Sequence, residues 1–88
     1  MIIKLKEEID SNLIIRLDAE ELFKKLEDNS SKVVMDFQGI EFINRSFAQE
    51  YLNQKFHAKY DIEEINVPDD VKNMFNVILE WNNMDLRY

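Results

Sequence analysis

Eighty-eight residues make one domain and leave no room for a second. At 45% hydrophobic and 33% charged, the composition excludes a disordered or membrane-embedded chain. With no cysteine and one histidine, burial must supply the stability, and six Phe, three Tyr and one Trp provide the area for it. Eleven basic against eighteen acidic residues give a net charge of −7, a field that repels phosphate backbones and anionic lipid, so neither nucleic acid nor membrane is an expected partner. No apolar stretch approaches the roughly 18–20 residues of a membrane span, and Met1 to Lys6 lacks the apolar run and cleavage site of a secretory signal. A cytoplasmic location is expected.

Ile3 and Leu5 alternate with Lys4 and Lys6, which predicts a half-buried strand over 2–6. Leu13-Ile14-Ile15 before Arg16 fits both a strand end and a first helical turn. Asp18 and Glu21 have capping-box spacing, and Ala19, Leu22, Phe23 and Leu26 fall on one face, predicting a helix over 18–28 that Asp28-Asn29-Ser30-Ser31 ends. Val33-Val34-Met35-Asp36-Phe37 is a nearly unbroken apolar run, read as a central strand covered on both faces. Gly39 is the only glycine and marks a turn, after which Glu41-Phe42-Ile43 returns to the interior.

A second helix is expected over 45–57. Ser46 and Gln49 have capping-box spacing, Phe47, Ala48, Tyr51, Leu52 and Phe56 form the buried stripe, and Gln49, Glu50, Asn53 and Gln54 point outward. Ile62, Ile65 and Val67 suggest a strand over 61–66. Pro68 suits the first position of a helix over 68–80, with Asp69 and Asp70 favoured by its dipole and Val71, Met74, Phe75 and Ile78 buried. The order β-α-β-α-β-α implies an α/β layer of mostly parallel strands joined by right-handed crossovers. The tail from Asn82 to Tyr88 has no clear period, yet Met84, Leu86 and Tyr88 make it more apolar than a free tail needs.

Asp36-Phe37, Gly39-Ile40 and Ser46-Phe47-Ala48 with Glu50 resemble the core of STAS domains, the domains of sulfate transporters and anti-sigma factor antagonists. The closer likeness is to the STAS-like domains of unknown function, in which an Arg-x-x-Ala motif, here Arg16-Leu17-Asp18-Ala19, opens the preceding helix. The resemblance covers about residues 13–80 and implies one STAS-like domain over 1–88. It further implies a non-enzymatic regulatory module that binds a protein such as a GHKL-type ATPase or anti-sigma-like kinase, with no cofactor. In antagonists of this family a serine after the aspartate is phosphorylated to release binding. Asn44 and Arg45 stand where that Asp-Ser pair would be, Ser46 lies one residue later, and Gln49 replaces the subfamily's Asp.

The expected partner surface is therefore Asn44, Arg45 and Ser46 with Gln49, Glu50 and Asn53. Ser46 has two readings, a displaced phosphoacceptor beside Arg45 or a helix cap. His57 lacks the partners of a metal site and reads as a surface residue, and Asp61, Glu63, Glu64, Asp69 and Asp70 read as solvated acids or as a patch for a basic partner. One glycine excludes dinucleotide and P-loop phosphate sites, and nothing around Ser46 forms a nucleophile elbow, so enzymatic activity is not expected. Two other function classes remain open: a self-assembling module, a homodimer through the tail from Trp81 to Tyr88, and an acidic inhibitor protein.

Overall fold

The computed structural model describes residues 1–28, 31–85 and 87–88, so Asn29, Ser30 and Leu86 lie outside the described residues. The element order is β1 (Ile2–Lys4), α1 (Leu5–Glu8), β2 (Asn12–Leu13), α2 (Arg16–Leu26), β3 (Val33–Asp36), β4 (Phe42–Ile43), α3 (Arg45–His57), β5 (Ile62–Ile65) and α4 (Asp69–Trp81). β1, β3 and β5 form a parallel sheet with β3 at its centre, and β2 pairs with β4 in a second, two-stranded parallel sheet. The chain is thus α/β with parallel strands, and the apolar run at Val33 is the central strand.

Several boundaries move, each for a physical reason. The first strand stops at Lys4, because the chain turns into α1 and seats Leu5 in the core. The helix expected over 18–28 is α2 and runs from Arg16 to Leu26. Ile15, with extended backbone, precedes it without any side-chain cap, and Asp18 sits within the first turn, where the dipole favours its charge. Pro68 is the extended residue before α4, and Asp69 is its first helical position. The ambiguous Leu13-Ile14-Ile15 divides: Leu13 ends β2, and Ile14 and Ile15 stay exposed.

The expectation that β3 is covered on both faces is overturned. Register places Ile3, Met35 and Glu64 in one row and Val33 beside Ile62, all on the inner face. Ile2, Val34 and Glu63 form one row of the outer face, and Lys4, Asp36 and Ile65 the other. Both crossovers step the same way across the sheet, from β1 to β3 to β5. Right-handed connections running in one direction deliver their helices to the same side. Val33 and Met35 are fully buried, whereas Val34 is only half-buried and Ile2 is 62% exposed.

The core under the helices is strongly aromatic. Tyr51 stacks on Phe75 at 5.3 Å between ring centres and meets Phe23 and Phe37 edge-on at 5.5 and 5.8 Å. α2 packs on α3, and α3 on α4. Tyr88 closes one side at 4.7 Å from Phe75, and its N–H donates to Asn76 Oδ1 at 2.8 Å. The tail is therefore folded against its own chain, with Met84 and Tyr88 packed on the core.

Candidate functional site

α3 carries the expected surface, and its first residues are set by Asn44. Asn44 is extended (φ −96°, ψ 171°), and its Oδ1 accepts the N–H of Phe47 at 2.9 Å, which makes it the N-cap. Ser46 is already inside the helix, so the reading of Ser46 as a cap is corrected. What remains there is an exposed hydroxyl in a first turn that contains no acid.

Arg45 is exposed, and its guanidinium lies 4.8 Å from the centre of the Trp81 ring, tying the start of α3 to the end of α4. Further along, Ser46, Gln49, Glu50 and Asn53 line a cleft of about 600 Å³, with Arg16 on one side and Met84 on the other. Glu50 Oε1 is 3.6 Å from Arg16 Nε, and Gln54 Nε2 donates to Glu50 Oε2 at 2.8 Å. Four of the six expected residues thus share this cleft. Asn44 serves as a cap, and Arg45 turns to Trp81.

Phe56, expected in the buried stripe, is 40% exposed and lines the same cleft. After Tyr51 and Leu52 the next core-facing position of the helix is 55, so Lys55 takes the inward place and Phe56 is turned out. A second unforeseen feature lies where α2 and α3 begin. Ile14, Ile15, Leu17 and Phe42 are all exposed, Phe42 paired in register with Asn12. Arg16, which lines the cleft, lies between Ile15 and Leu17 in the chain.

The acids were read as solvated, and Glu64 departs from that. Its side chain is 9% exposed and receives Lys55 Nζ on Oε1 at 2.8 Å and the hydroxyls of Tyr51 and Tyr88 on Oε2 at 2.5 and 3.0 Å. Burial first, and then the neighbouring carboxylate, push both tyrosines well above the usual phenol range. The signal was available: strand alternation puts Glu64, not Glu63, on the face of Ile62. Asp36 is likewise held, its Oδ1 accepting the Asn66 amide at 3.0 Å and the Gln38 N–H at 2.9 Å, and these two bonds lower its pKa. The residues of both networks brace the fold and do not line the cleft.

His57 Nδ1 is 2.8 Å from the Asn53 carbonyl oxygen, on an exposed turn of α3. Among the described residues no group of His, Cys, Asp and Glu side chains is arranged to hold a metal ion, and no helix is long and apolar enough to cross a membrane. Comparison with family models, curated proteins and solved structures finds no match to this chain.

Proposed function

We infer that this chain is a non-enzymatic regulatory module that binds another protein, in the manner its STAS-like motifs imply. The observation that carries the reading is the polar cleft along α3 together with four exposed apolar residues, Ile14, Ile15, Leu17 and Phe42, in the segments where α2 and α3 begin. Exposed apolar side chains near polar groups mark interaction sites in soluble proteins. Polar Ser46, Gln49 and Asn53 and the Arg16–Glu50 pair supply directional contacts, and Arg45 offers bidentate donors to a carboxylate or phosphate. A GHKL-type ATPase or anti-sigma-like kinase in the cytoplasm is the partner class the motifs suggest.

Ser46 is the proposed regulatory acceptor. A phosphate there meets the free N–H groups of the first turn of α3, yet stands one helical turn from Glu50. Its charge competes with Glu50 for Arg16 and rebuilds the cleft. The test is titration calorimetry against a verified partner. Arg45→Ala lowers affinity about thirtyfold, and Ser46→Glu lowers it by a similar factor. Ser46→Ala leaves both affinity and fold intact. Unchanged affinity in Arg45→Ala and Ser46→Glu removes the corner from the recognition surface.

A further inference from the structure

A three-stranded parallel sheet with its long helices on one face is unusual, because parallel sheets occur almost only where both faces are covered. Here α2, α3 and α4 lie on the inner side, and the outer face presents Ile2, Val34 and Ile65 among charged neighbours. We propose that a second copy of this chain covers that face, forming a homodimer by orthogonal sheet-on-sheet packing.

The pattern of the outer face is what selects a second copy. Its four corners are Ile2 and Lys4 on β1 and Glu63 and Ile65 on β5. They stand about 10 Å apart across the strands and about 7 Å along them, from ordinary sheet spacings. A two-fold axis through the centre of this face, at about 45° to the strands and close to the diagonal from Ile2 to Ile65, brings each isoleucine within about 2 Å, in projection, of its own counterpart. The same rotation brings Lys4 of each copy within about 2 Å, in projection, of Glu63 of the other. Apolar meets apolar and cation meets anion at every corner, which is the self-complementarity a symmetric dimer requires. Strands of the two copies then cross at nearly a right angle, one of the two preferred ways for sheets to pack.

The central strand contributes Val34 and one carboxylate, Asp36, to this face. Asp36 is only 7% exposed, and its Oδ1 is already held by Gln38 and Asn66. Among the described residues Glu63 pairs with Lys32 at 2.8 Å, an exposed pair that is worth little and easily exchanged. The patch is small, so the dimer is reversible.

Sedimentation of the full chain between about 10 μM and 1 mM tests the proposal. Wild type should pass reversibly from one chain mass to two. Lys4→Glu and Glu63→Lys, each exposed and confirmed folded by circular dichroism, should each weaken the dimer about tenfold. Combined, they should restore it, because the exchange of charges preserves the pairing. Ile2→Asp should weaken the dimer without unfolding the chain. A monomer at every concentration overturns the proposal, as does a dimer indifferent to Ile2→Asp or one that the double charge exchange fails to recover. A monomer whose Ile2→Asp variant instead loses a verified different partner also overturns it, assigning the face to that partner.

Discussion

The phenol of Tyr51, fully buried between Phe23, Phe37 and Phe75, donates its proton to Glu64 Oε2 at 2.5 Å. That bond joins α3 to the edge strand β5, and Lys55 and Tyr88 complete the shell around the carboxylate. Removing the acceptor should therefore cost more than removing one donor. Tyr51→Phe should lose about 1.5–3 kcal/mol, the range for a hydrogen bond to a charged group. Glu64→Ala should lose about 3 kcal/mol or somewhat more, because it strands a largely buried ammonium and two hydroxyls together. Urea unfolding of both variants checks the order, and equal stability of Glu64→Ala and wild type would contradict it.

Stability should fall at both ends of the pH scale for separate reasons. Asp36 is an acid whose folded pKa is lowered below 3.8, so its stabilisation is present above that value and lost as pH falls through the folded pKa. Tyr51 and Tyr88 have folded values raised above 10.0, so their stabilisation is complete below pH 10 and is lost as pH rises. Unfolding free energies should decline below about pH 4 in a way that Asp36→Asn flattens. They should also decline above about pH 10, in a way that Tyr51→Phe moderates.

The helix start of α3 gives a paired comparison. Asn44→Ala removes the side-chain bond to the Phe47 N–H that caps this turn, and should cost about 1 kcal/mol. Ser46→Ala should change stability by less than about 0.5 kcal/mol, since Ser46 is exposed and inside the helix. Thermal melts of the two variants distinguish them, and a larger loss in Ser46→Ala would return the cap to Ser46.

Much of this architecture is legible in the chain, and its limits are instructive. Val33 to Asp36 is apolar and β-branched enough to be the central strand, and Ala48, Tyr51 and Leu52 set the inner face of α3 unambiguously. β2 and β4 were not foreseen because two-residue strands have no period to read; only pairing across 29 intervening positions defines Leu13 with Ile43. Sequence does not separate Asn44 from Ser46 as the cap, because both are good capping residues and the choice depends on where the backbone first turns helical. The apolar run at Val34 shows burial without showing how many layers supply it. Within the site, the outward positions Gln49, Glu50 and Asn53 followed from helical spacing, whereas the cleft depended on the end of α4 and the tail, which no local pattern places.

The most direct test of a recognition surface on α3 is site-specific photocrosslinking in the native cell. A benzophenone side chain at Gln49 or Asn53, both exposed on the cleft, is compared with one at Glu27, exposed at the end of α2. Crosslinks from positions 49 and 53 to one distinct protein, absent from position 27 and diminished by Arg45→Ala, are the predicted result. Crosslinks to that protein from position 27 alone, or an equal yield from all three positions, would contradict it.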